Sequence, residues 1–84
     1  MKATFIKNVE TAAGIKKLYE LDPPLEGNRF VTVSAVNAMF SGPETYIFPA
    51  DEKGKITDWL ELRGSYKGGL DHVAALENAG YSVA

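Results

Sequence analysis

Cysteine is missing from this chain. Disulfides, zinc–thiolate centres and thiol nucleophiles are therefore excluded, and a reducing compartment is allowed without being required. Long apolar runs are missing too. None approaches the roughly 20 residues needed to span a bilayer, so no membrane partner is expected. The opening MKATFIK lacks an apolar core of signal-peptide length and reads as no signal peptide. Positive charge is not in excess. A net charge of −2 leaves no electrostatic footprint for nucleic acid, which is not an expected partner. Histidine occurs once, at His72, and tryptophan once, at Trp59. Internal repeats and low-complexity segments are absent.

What is present suits one small folded unit. The 84 residues read as a single domain, 1–84. A chain of this size buries only about 60–65% of the surface its unfolded form exposes, so its stability is modest. The hydrophobic fraction of 45% argues against disorder, and four Phe, four Tyr and one Trp can build a core without staples. Charge is uneven. Lys2, Lys7, Lys16 and Lys17 face only Glu10 in the first seventeen residues, whereas Glu44, Asp51, Glu52, Asp58 and Glu61 outweigh Lys53 and Lys55 further on. This is either solvated surface or a self-complementary contact between copies.

The stretch from Phe30 to Asp51 organises the chain as two strands around a turn. Phe30, Val31, Val33 and Val36 suit a pleated surface, Ser41-Gly42-Pro43 breaks the run, and Thr45 to Phe48 resume it until Pro49. Val31, Val33 and Ala35 share one face, and Phe30, Thr32, Ser34 and Val36 the other. Neither face is polar, so a central strand covered on both sides is expected. One cover should be a helix. The other is the loop near Trp59 or a second molecule. Around this hairpin, residues 2–8 read as a first strand, Thr11 to Gly14 as a turn, and Lys17 to Leu21 as a short strand ended by Asp22-Pro23-Pro24. Leu25 to Asn28 is a turn. Asp51 to Lys55 is a polar turn bending at Gly54, Ile56 to Arg63 a further strand with Trp59 opposite Ile56, Leu60 and Leu62, and Gly64 to Gly69 a flexible loop.

One helix is expected after Gly69. Leu70, Val73, Ala74 and Glu77 recur at helical spacing and Leu76 widens the stripe. Asp71 sits in the first turn, Asn78-Ala79-Gly80 is the stop, and Tyr81 to Val83 adds a last short strand. The expected fold class is α+β: a mainly antiparallel sheet of four to five short strands with one C-terminal helix packed on it. Phe48, Val33, Leu70, Val73 and Leu76 should meet between sheet and helix.

Templates for chemistry fail one after another. His72 could serve as a general base, but Asp71 beside it does not face it on a helix. None of Ser34, Ser41, Ser65 and Ser82 lies in a nucleophile-elbow context. Gly64 to Gly69 has the glycine spacing of a phosphate loop, yet Leu70 and Asp71 stand where Lys and Ser/Thr are required. Lys67 could still help hold a small anion. Asp51 to Lys55 lacks the alternating oxygens of a calcium loop. No spacing makes Glu44, Asp58 and Glu61 an acid–base pair, and Arg29-Phe30-Val31 would stack bases only on a basic surface. No catalytic residue, metal or cofactor is expected.

The segments SGPETYIFPAD (41–51), DWLELRGS (58–65) and GLDHVAALENAGY (69–81) are distinctive. With them the chain, from about Phe30 onward, resembles a family of small proteins of actinobacteria and their bacteriophages, mycobacteriophages among them. The resemblance implies a small cytoplasmic phage-type protein, acting in the host cytoplasm, with no catalytic residues to carry over. The leading expectation is a non-catalytic module that binds a host protein, with Tyr46, Trp59, Tyr66, Lys67 and His72 as its candidate surface. The alternatives are a nucleic-acid-associated protein using the basic N-terminal segment and sheet aromatics, and a ligand-binding protein or hydrolase around His72. A homodimer through an exposed sheet face or edge is also expected, with Tyr46 or Trp59 near the contact. Its competitor is a monomer whose loops, 64–69 above all, cover the second face.

Overall fold

The computed structural model describes residues 1–12, 14–38, 40 and 42–84. These form strands β1 (Lys2–Thr11), β2 (Gly14–Leu25), β3 (Asn28–Ala38), β4 (Gly42–Ala50), β5 (Tyr66–Lys67) and β6 (Ser82–Val83), with helix α1 (His72–Asn78) between the last two. All six strands join one sheet, ordered β5-β4-β3-β2-β1-β6, which curls into a half-barrel. β1 to β4 are an antiparallel meander, and β6 returns parallel to β1. The α+β expectation stands in this coarser form. Six strands replace the expected four to five, and the four in the meander are long, at 9–12 residues each. The helix is short and is followed by a strand. Among the described residues no helix is long and apolar enough to cross a membrane.

Local chemistry sets the meander. Glu26 and Gly27 both take positive φ, 50° and 83°, so a two-residue turn of the twist-matched kind joins β2 to β3. Asn28 secures it by donating from Nδ2 to the Leu25 and Glu26 carbonyls, 3.2 Å each. The prolines do not end strands as expected. Pro43 pairs with Asn37 and Pro49 with Val31 inside the β3–β4 ladder. Their carbonyls accept from Gly68 N–H (2.9 Å) and Thr57 N–H (3.0 Å), on the side away from β3. A strand residue aims its N and C=O the same way, so the missing N–H faces outward and costs no bond to β3. β2 likewise continues through Pro23 and Pro24, where its register against β3 shifts between Glu20 and Leu25. The Ser41 part of the expected turn, the third residue of the Thr11-to-Gly14 turn and the Ser41 nucleophile reading lie outside the described residues.

β3 is covered on both faces, as its residues predict. Val31 and Val33 point into a core with Ala3, Tyr19, Leu21, Leu25, Ile47, Leu62, Leu76 and Tyr81. Thr32 and Ser34, on the other face, are buried as well. The second cover is the 51–59 segment. Gly54, at φ +91°, comes so close to the sheet that an added Cβ would stand 2.5 Å from Val9 Cγ2 and 3.5 Å from Leu18 Cδ2. Asp51 shapes this turn by accepting on Oδ1 from the Lys53 and Lys55 N–H groups, 2.9 Å each. Ile56 to Arg63 is not the expected strand. It meets the edge of β4 through the Ala50–Ile56 bridge, the Thr57 bond and one from Leu62 N–H to the Ile47 carbonyl (2.8 Å). Leu62 turns inward while Leu60 faces out. The expected 64–69 loop contains β5, paired to Glu44 and Thr45.

Capping defines α1. Asp71 is the N-cap itself, not a first-turn residue: its Oδ1 accepts from Val73 N–H (2.9 Å) and Ala74 N–H (3.2 Å). At the other end Gly80 takes φ +97°, and Gly80 N–H donates to the Glu77 carbonyl and Tyr81 N–H to that of Leu76. These are the paired bonds of a glycine-terminated helix. The buried stripe is Ala75, Leu76 and Ala79 rather than the Leu70–Val73–Ala74 line. The expected cluster therefore splits. Val33 and Leu76 join the core, Leu70 and Val73 stay 49% and 41% exposed, and Phe48 lies on the opposite face of the sheet.

Leu76→Ala should lower stability by about 2–5 kcal/mol, the usual cost of truncating a buried leucine. Leu70→Ala, at an exposed site, should change it by less than about 0.5 kcal/mol. Thermal melts of the two variants compare the two stripes directly. Equal losses would show that α1 packs both.

Candidate functional site

Strand alternation sorts the five candidate surface residues onto two sides. Lys67 lies opposite Glu44, and Glu44, Tyr46 and Phe48 share a face by alternation along β4. Tyr66 lies opposite Thr45, on the core face, and its ring packs against the core. His72 opens α1, which packs on that same face. The sheet thus stands between Tyr46, Trp59 and Lys67 on one side and Tyr66 and His72 on the other. They do not form one surface.

The first side carries a row of rings. Tyr46 and Phe48 stack with centroids 6.0 Å apart and planes at 16°, and Trp59 meets Phe48 edge-on at 5.3 Å. Trp59 remains 69% exposed. The Tyr46 hydroxyl donates to the buried Glu44 carboxylate. That bond, then burial, then the charges of Glu44 and Glu61 push the phenol above its ordinary range. Beneath the rings the hydroxyls of Thr32 and Ser34, cross-strand partners of Phe48 and Tyr46, are buried with no hydrogen-bond partner among the described residues.

Beside the rings lies a groove of about 550 Å³ whose walls include Val9, Ile56, Trp59, Lys16, Lys53 and Lys55. Lys16 is 7% exposed. Its Nζ lies 5.9 Å from the Phe48 ring centroid and 6.0 Å from that of Trp59. Sequence reading missed this site because it started the second strand at Lys17. Carrying the alternation two residues back from Leu18 would have placed Lys16 on the inner face.

The other candidates for chemistry are engaged elsewhere. Among the described residues no group of three or more His, Asp or Glu is placed to hold a metal. The Asp71 carboxylate caps α1, and backbone N–H groups hold the Asp51 carboxyl below its ordinary range. Lys67 belongs to β5 and is exposed. His72 is half-buried. Burial, then the Lys17 ammonium, push its pKa down, and the Asp71 charge only partly opposes them.

This shift makes stability depend on pH. The folded state favours the neutral imidazole, so as pH falls the unfolded chain binds the proton first. The His72 contribution is whole above the ordinary value of 6.5 and is lost on acidification through it. Melts between about pH 8 and pH 5 should show Tm falling, and His72→Gln should flatten that fall. Asp51 titrates below the ordinary carboxylate value of 3.8, outside this window. An equal fall in His72→Gln would place the titrating group elsewhere.

No family model, curated protein or solved structure matches this chain.

Proposed function

We propose that this protein is a non-catalytic protein–protein interaction module that takes an extended segment of its partner onto the open edge of the sheet. One observation carries the reading. β6 pairs only with Lys2 and Ala3, so from Phe5 to Glu10 no strand lies on the outer side of β1 among the described residues. Such an edge offers unpaired N–H and C=O groups to an incoming strand. Phe5 and Ile6, both about two-fifths exposed, add apolar contact there. The far edge is closed, because β5, Thr57 and Leu62 bond to the outer side of β4.

The edge is selective. β1 bulges between Phe5 and Lys7, and Lys2 and Lys7 lie along it. Bulges and lysines discourage indiscriminate pairing and favour an acidic segment. Resemblance to phage-encoded small proteins makes a host protein, met in the host cytoplasm, the expected partner. A second copy of the chain is the competing occupant.

Tagged protein should recover a saturable partner from host lysate, and binding should slow amide hydrogen exchange across Phe5 to Glu10. Ile6→Lys, at an exposed position, should weaken capture about tenfold or more while leaving stability within about 0.5 kcal/mol. Capture insensitive to Ile6→Lys, with no added protection in β1, refutes the edge. A concentration-dependent mass above 9.1 kDa in light scattering, abolished by Ile6→Lys, identifies the second copy.

A further inference from the structure

We propose that the groove beside Trp59 binds a small amphiphilic anion, a carboxylate or phosphate monoester carried on a planar apolar body, with Lys16 as its charge partner. The inference uses the ring-bearing face rather than the β1 edge, so it stands apart from the protein-binding reading.

The first ground is the state of Lys16. The residue is 7% exposed, with its stem buried and its ammonium open to the groove, and among the described residues that ammonium has no carboxylate within ion-pair distance and no hydrogen-bond acceptor. An ammonium that no carboxylate of its own chain neutralises is open to an anion from solution. The Phe48 and Trp59 rings, near 6 Å, are at the outer limit of cation–π attraction and compensate weakly. The stem runs over apolar surface and the ammonium meets water, as is usual for lysine. That water is the groove's, because Lys16 holds its ammonium over the rings, on the groove wall.

The second ground is what surrounds it. The turn held by Asp51 brings Lys53 and Lys55 to the same groove, and no carboxylate lines it among the described residues. The rest of the lining is chiefly apolar, from Val9, Ile56 and the exposed Trp59. Three lysines around an apolar wall with an indole match a ligand that has one anionic head and a flat body. The cations converge on one groove instead of following a track along the surface, and the whole chain is net negative. That distribution suits a small anion better than a nucleic-acid strand.

The test is a titration of the folded chain with naphthoate, naphthyl phosphate and the neutral naphthamide, followed by the NMR signal of the indole N–H of Trp59. One of the two anions should bind saturably with Kd below about 1 mM, and naphthamide at least tenfold more weakly, a gap of about 1.4 kcal/mol or more. Whichever anion binds more tightly identifies the head group. Lys16→Met should weaken that binding about tenfold or more while leaving Tm nearly unchanged, since the buried apolar stem is kept and only the ammonium is removed. Lys53→Gln with Lys55→Gln should weaken it less and flatten its salt dependence. Ile6→Lys should leave it unchanged. Equal binding of naphthamide, no saturable shift with any probe, or undiminished anion binding by a folded Lys16→Met overturns the proposal. So does a single-stranded oligonucleotide that binds more tightly through the same lysines. If Lys16→Met fails to fold, the naphthoate–naphthamide comparison on the unaltered chain still decides.

Discussion

Burial of β3 on both faces is the constraint on which the rest of the structure depends. A strand carrying Val31 and Val33 on one face and Thr32 and Ser34 on the other leaves neither for water. One helix can cover only one side of a sheet. α1 takes the Val31–Val33 side, placed by the Asp71 cap and the Gly80 stop. The other side has only irregular chain to cover it. Gly54 makes this work, because a turn residue without a side chain can settle against the sheet where a Cβ would collide with Val9.

This second cover is thin, and the thinness creates the molecule's most unusual surface. A packed helix would have sealed Phe48, Lys16 and Leu18 beneath a continuous layer. A turn and an exposed Trp59 leave a groove between them instead. Lys16 is caught at its wall, away from the acids that balance charge elsewhere. Glu44 binds Tyr46, Glu20 binds Arg29, and Asp51 is held by its own turn. These carboxylates are engaged with partners other than Lys16. The groove keeps its positive lining in a chain whose net charge is negative.

The two edges of the sheet are treated as differently as its faces. Pro43 and Pro49 have no N–H to offer outward, and the 56–67 segment bonds to the carbonyls that remain. Among the described residues the β1 edge has only β6 at one end. Exposed backbone groups there, and unpaired charge in the groove, are distinct sources of binding energy. Neither depends on the other, and fold alone selects no function among them.

The sequence by itself determined the elements whose cause is local. The Glu26-Gly27 turn, the Asp51 turn, the alternation of β3, the single helix after Asp71 and the final strand follow from residues in direct succession. Strand extents did not follow, because a proline ends a strand only if its missing N–H faces a partner, and tertiary pairing alone sets that direction. The buried stripe of α1 was misplaced for a similar reason. Leu70 lies before the helix, and small residues at Ala75 and Ala79, not the larger Val73, allow close approach to the sheet. Of the candidate surface, Tyr46, Trp59 and Lys67 were placed on one side, while Tyr66 and His72 went to the other with the parity of the β4–β5 pairing. Lys16, Lys53 and Lys55 meet only because a turn whose lysines lie 37 and 39 residues after Lys16 folds back over β2. Spacing along a sequence carries no trace of such a contact. It exists only once the sheet has curled and its second face needs a cover.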